Sequence, residues 1–149
     1  TVDTSEEDKA LVVDLLDLMA NHQADFTLTF FHLSRLSTQV DDNEHKCKAL
    51  FNHHAEFDQW LVRWRERLTR ETKTDAQRQR DMQAINPVYI PRNHQIEAAI
   101  RAAEDQGDFS VFHALHAVLQ DPYVQQDGQQ GYMQAPEPEE VVQVTFCGT

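Results

Sequence analysis

The side chains here that could do chemistry are eight histidines, two cysteines and a run of arginines. His113 and His116 stand one helical turn apart, and His53-His54 are adjacent, spacings at which two imidazoles can share a metal. A metal centre needs three or four ligands and an outer shell that orients them. No carboxylate or cysteine joins these pairs in a recognisable motif, so they read as surface histidines and no metal site is assigned. Asp25-Phe26-Thr27 and Asp108-Phe109-Ser110 resemble the metal-binding Asp-Phe-Gly of kinases. Neither follows a strand pattern, and no glycine-rich phosphate loop or strand lysine accompanies them. Each reads as a helix cap followed by a core aromatic. No serine or threonine sits in a nucleophile elbow, so no catalytic residue is assigned.

Residues 63–80 hold seven of the 13 basic residues against Glu66, Glu71 and Asp75. Arg63, Arg67 and Arg70 fall on one helical face. Two readings stay open: a solvated or salt-bridged face, or a docking surface for an acidic partner or a neighbouring domain. Aromatic platforms are missing from that face, so it makes no case for nucleic acid. Cys147 is third from the end of a polar tail, where a thiol can reach distant partners. Cys47 lies in a polar stretch. Nothing nearby would activate either thiol, and both are expected to react with a maleimide, Cys147 faster.

The elements that must position these residues are helices. Thr4-Ser5-Glu6-Glu7 is a capping box that opens the first, whose stripe is Leu11, Leu15, Leu18 and Met19, widened by Val12 and Leu16. A second helix is expected from about His22 to Leu36, with Phe26, Phe30 and Leu33 on one face. Residues 37–46 read as a surface loop. Phe57, Trp60, Leu61, Trp64 and Leu68 repeat with the helical period, which makes both tryptophans core anchors. Thr74 to Gln77 is another capping box, and its helix ends where Pro87 disfavours helical geometry at Asn86. Ile96, Ala99, Ile100 and Ala103 mark the next helix, stopped at Gly107, with Pro91 in a linker or in its first turn. Val111, Leu115, Val118 and Leu119 mark the last, closed by Pro122.

These patterns predict an all-α fold, an irregular bundle of about five or six helices over residues 1–123. An extended or disordered arm of residues 124–149 follows. From Gln125 to Glu140 the chain is rich in Gln, Gly, Pro and Glu, and the β-prone run 141–146 would need a partner edge. Four glycines in 149 residues disfavour a β-sandwich. With 25 acidic against 13 basic residues the formal charge is −12, which disfavours nucleic acid as a partner. No apolar run reaches the roughly 20 residues of a membrane span. Two cysteines are too few for a disulfide scaffold, so a reducing, cytoplasmic setting is expected. The start at Thr1 reads as a processed or excised piece.

Taken in order, several segments resemble the C-terminal region of the selenoprotein O family of protein adenylyltransferases. They are Met19 with Asp25-Phe26-Thr27 and Phe30, then Phe57 and Trp60 with Arg65-x-Arg67. Met82, Asn86-Pro87, Arg92-Asn93 and Ala99-Ile100 follow. Ala103, Gly107-Asp108, Pro122 and the cysteine third from the end complete the pattern. The resemblance implies a parent protein with a kinase-like core that uses ATP with Mg or Mn and transfers AMP to protein hydroxyls. The nucleotide site would lie upstream, so this chain would hold no cofactor itself. Its partners would be the missing N-terminal core and, through the parent, protein substrates. The resemblance also implies that Cys147 stands where selenium-using members carry selenocysteine, and that it forms a disulfide with a cysteine of the core. Pro91 replaces the family's usual leucine, and the ending Cys-Gly-Thr replaces Cys-Ser-Ser. A rival reading is a free-standing helical module that recruits acidic partners through the basic face.

Overall fold

A computed structural model describes residues 6–144. The described residues form seven α-helices and two short 3₁₀ turns, with no strand. The chain divides into two compact units, residues 1–86 and 87–149, whereas the sequence pattern suggested a change of character at 123/124.

The first unit carries α1 (Glu6–His22), α2 (Phe26–Leu33), α3 (Glu44–Ala49), α4 (Ala55–Leu68) and α5 (Asp75–Ile85). Thr4, the expected cap of α1, lies outside the described residues. Leu15 and Met19 are buried as the stripe requires, but Val12 and Leu16 are exposed. The second helix is shorter than expected. It begins at Phe26 because Asp25 caps it, its carboxylate accepting from the Leu28 N–H at 2.8 Å. Phe26 itself is 61% exposed, so it is no core aromatic. The helix α3 accounts for the seventh element, since it starts inside the stretch read as loop. Its polar letters conceal two buried side chains, Glu44 and Cys47.

Aromatic packing organises this unit. Phe51 stacks on Phe57 with ring centres 3.8 Å apart, Phe57 on Trp60 at 5.8 Å, and Trp60 on Trp64 at 6.0 Å. The Trp60 indole N–H donates to the Leu11 carbonyl at 2.8 Å, which ties α4 to α1. Trp64 is only half-buried, packed against the core. The carbonyls following α2 are collected by α5: Arg78 and Gln79 donate to Leu36 O, Gln79 also to Arg35 O, and Gln83 to Ser34 O. A helix end leaves such carbonyls without intrahelical partners, so polar α5 side chains do structural work here. The Thr74 capping box forms, and α5 stops at Ile85 before extended Asn86.

The second unit carries α6 (Asn93–Gln106), α7 (Ser110–Leu119) and the 3₁₀ turns Gln130–Met133 and Pro138–Glu140. Pro91 precedes α6, outside its first turn, with Arg92 at the cap position. Gly107 takes the left-handed geometry (φ 63°) that only glycine adopts without cost, and the Gly107 and Asp108 N–H groups donate back to Ala103 and Ala102. The chain after α7 returns: the Val88 and Tyr89 N–H groups donate to Pro122 O at 2.7 and 3.2 Å, and Gln126 N–H donates to the Tyr89 hydroxyl at 2.8 Å. Arg92 is buried and donates to Met133 O at 2.9 Å. Residues 124–144 are thus held to this unit through Gln126 and Met133. Residues 141–144 form no strand, and the rest of the β-prone run lies outside the described residues.

Candidate functional site

The antiparallel pair α1 and α4 builds a strongly charged cleft. On α4 the residues Arg63, Arg67 and Arg70 lie along one face, and on α1 Asp14, Asp8 and Glu7 lie along the facing one. Arg63 pairs with Asp14, Arg67 grips Asp8 with two bonds of 2.6 and 3.1 Å, and Arg70 meets Glu7 at 2.7 Å. The two-pronged Arg67 contact matches the fork of a guanidinium to a carboxylate. It holds the Asp8 carboxyl below its ordinary value and raises Arg67 in turn. Glu7, Asp8, Arg63, Arg67 and Arg70 line a cleft of about 290 Å³. Its acids and bases answer each other, which is the salt-bridged reading of the arginine face. The donor set therefore fits Mg-ATP poorly: the Arg67 fork already occupies both oxygens of Asp8, and the cations that could hold a triphosphate face carboxylates.

The histidines distribute differently from the pairs in the sequence. His113 and His116 are exposed on α7, and His116 stacks on Phe112 rather than meeting a carboxylate. Folding instead gathers His22, His54 and Glu56, whose ligand atoms lie within 4.8 Å of one another. This trio could approach a cation. Its Nδ1 at His54, however, accepts from the Glu56 N–H at 3.4 Å as the cap of α4. No local spacing signals this trio, because His22 closes α1 and reaches the others only through two turns. Those turns are made by Gln23, Asn52 and His53, all at positive φ and none a glycine.

The two thiols part company. Cys147 lies outside the described residues. Cys47, expected to label, is fully buried in the core of the first unit. Burial, reinforced by the negative charge of Glu44, pushes its thiol up to about 12, so it is a packed apolar group rather than a nucleophile. Glu44 beside it is also buried, paired with Lys48 at 2.6 Å and with Arg65, whose Nε donates to Ser37 O. Several motif residues thus turn out to be scaffold: Asp25 caps, Arg65 and Arg92 clamp carboxylate or carbonyl groups, and the Asn86 side chain donates to Met82 O at 2.8 Å. In the second tripeptide, Asp108 accepts from the Ser110 N–H, and Phe109 is exposed rather than core. An apolar concavity of the second unit, about 430 Å³, lies between α6 and α7 with Ile100 and Phe112 among its lining.

Comparison with known proteins adds the context. The family model of protein adenylyltransferase SelO matches residues 1–120. A protein nucleotidyltransferase YdiU of Rhodopseudomonas palustris (strain BisB5) is 48% identical over 147 residues, covering 98% of this chain and 30% of that protein. The YdiU protein of Bradyrhizobium sp. (strain BTAi1 / ATCC BAA-1182) is 46% identical over 144 residues, covering 97% and 29%. That of Rhizobium johnstonii (strain DSM 114642 / LMG 32736 / 3841) is 48% identical over 142 residues, covering 95% and 28%. The chain spans about 30% of the length of these relatives. No helix among the described residues is long and apolar enough to cross a membrane.

Proposed function

The chain belongs to the protein adenylyltransferase SelO family, and we propose that it is the helical C-terminal portion of a longer, kinase-like enzyme. That enzyme transfers AMP from ATP, with Mg or Mn, to hydroxyls of protein substrates in the bacterial cytoplasm, and its catalytic core lies outside this chain. The observation that carries the reading is the asymmetry of coverage: 98% of the chain matches a nucleotidyltransferase of which it makes up 30%. The charged side chains described above support it, since they serve as caps, clamps and ion pairs. A structural and regulatory part fits that use of charge. Cys147 is the regulatory handle of this reading, joined under oxidising conditions to a cysteine of the core and released by reductant. The alternative, a free-standing module recruiting acidic partners through Arg63, Arg67 and Arg70, has less support because Asp14, Asp8 and Glu7 already face those arginines.

The test uses the full-length parent with ATP labelled either on the α- or the γ-phosphate. Label transferred to protein from the α position only is expected. The 149-residue chain alone should neither bind Mg-ATP nor transfer label, and micromolar Mg-ATP binding to it by calorimetry would overturn the placement of the core. Restoration of transfer on mixing this chain with the separately made core would favour the regulatory part over the free-standing module.

A further inference from the structure

The groove between α6 and α7 is lined by apolar side chains and by His116, and four large apolar side chains stand open around it. Ile96 is 36% exposed, Ile100 45%, Phe109 58% and Phe112 50%. Together they form an open apolar patch around one concavity, the kind of surface that on a folded protein is often functional. The groove is also preformed. Gly107 sets the turn between its two helices, and its floor is fixed by buried Ala99 and Leu115. Val88 and Tyr89, buried just before α6, are bonded to Pro122 just beyond α7, so both ends of the helical pair are tied.

We infer that this groove is the seat of the upstream part of the same polypeptide, an inference that rests on the reading of the chain as a portion of a longer enzyme. Two observations select this occupant. About 70% of the length of the relatives lies outside this chain, so a large covalently tethered body is available. The patch, four side chains around one concavity, is also well short of the ~800 Å² that each partner contributes to a standard stable interface. Two separate copies meeting through it would bury too little to offset the lost translational freedom. A tethered occupant meets the groove at a high effective concentration, and a patch of this size then suffices. The apolar lining selects an apolar segment of that body, with Phe109 and Phe112 as the aromatic anchors.

The experiment measures maleimide labelling at single introduced cysteines, read by peptide mass mapping. Ile100→Cys and Phe112→Cys report the groove, and Glu104→Cys, exposed on α6, is the control. All three positions are solvent-accessible in this chain, so a cysteine there is tolerated by its fold. In the full-length parent the groove cysteines should label at least about tenfold more slowly than the control, as closed positions do. In the 149-residue chain alone all three should label at similar rates. Equal rates in the parent would overturn the inference, and so would protection in the chain alone that grows with concentration, the mark of a second copy. AMP transfer by the unsubstituted parent is measured separately. Open groove cysteines in an active parent remove the docking inference only, whereas protected ones in an inactive parent support it and remove the proposed activity.

Discussion

In the first unit Phe51, Phe57 and Trp60 stack in sequence and are sealed from solvent, whereas in the second Phe109 and Phe112 each leave about half of their surface in water. The charged residues differ in parallel. The first unit pairs its acids and bases within itself, including a buried Glu44 held by Lys48 and Arg65. The second pairs Arg101 with Glu97 on the surface of α6, uses Arg92 to hold a carbonyl, and lines the groove between α6 and α7 mostly with apolar side chains. The first unit buries its stacked aromatics, and the second leaves Phe109 and Phe112 open. The contrast teaches that composition alone misjudges a helical piece: both units have amphipathic helices and both leave apolar side chains open, Val12, Leu16 and Phe26 in the first, but only the first seals an aromatic stack.

The contrast is tested most severely at Cys47. If the first unit is closed, native labelling of Cys47 requires the core to open, and its rate should be slower than that of an unfolded thiol by about 10³-fold or more. Rapid labelling at neutral pH, followed by mass spectrometry with a tryptic map, would show that this core breathes. Trp60→Ala comes next. It removes a buried indole, its stacking and its bond to Leu11 O, and should cost about 3–5 kcal/mol in denaturant unfolding. Phe112→Ala in the same chain, with half of its ring already in solvent, should cost less than about 1.5 kcal/mol. Equal losses at the two sites would abolish the distinction between the units.

Glu44→Gln sharpens the electrostatic side. Burial alone would raise the Glu44 carboxyl, but Lys48 and Arg65 outweigh it and hold it below its ordinary value. For Asp75 burial is likewise outweighed, by the Thr38 N–H and Arg78. A folded pKa below the unfolded one means that the stabilisation is complete above the unfolded carboxylate value, about 4.3 for Glu. It is lost as the pH falls through the folded value. Removing the charge should therefore cost about 2 kcal/mol at pH 7, and the gap between variant and wild type should narrow in acid. A gap independent of pH would show that Glu44 acts by shape and not by charge.

How much of this was legible follows from which signals are local. The α4 period and the Thr74 box stand in contiguous residues, and both were read correctly. So were the stops at Asn86 and Gly107, because Pro87 and Gly107 act on the adjacent backbone. The stretch before Cys47 misled because its polar letters hide α3, whose buried Glu44 is held by Lys48 one turn on in the same helix and by Arg65 arriving from α4. Phe26, expected on one helical face with Phe30 and Leu33, and Phe109, read as a core aromatic after a cap, both stand in solvent. Each sits at the very start of its helix, where the apolar face is not yet set. The His22–His54–Glu56 trio had no local signal either, since non-glycine residues at positive φ make the turns that assemble it. The arginine face was legible as a face. Its partners on α1 were not, because antiparallel register is a tertiary fact.

The smallest effect expected belongs to that face. Arg63 and Arg70 are about half exposed, and so are their carboxylate partners or more so. Water screens such pairs, and the side chains lose freedom in forming them, so Arg63→Ala or Arg70→Ala should change stability by no more than about 0.5 kcal/mol. Raising the salt to about 1 M contracts the screening length to about 3 Å and should erase even that difference. Arg67 shares its carboxylate through two bonds in a more enclosed position, so Arg67→Ala should exceed both and retain part of its effect in salt. The three substitutions also discriminate uses of the face. If it serves only to join α1 to α4, AMP transfer by the parent should follow the stability order, with Arg67→Ala the most affected. If it recruits an acidic partner, the exposed Arg63 and Arg70 should matter most for transfer while leaving the unfolding midpoint in place. A parent in which Arg63→Ala abolishes transfer at unchanged stability would overturn the closed-unit view of residues 6–86, since a unit that keeps its charges for itself has none to lend.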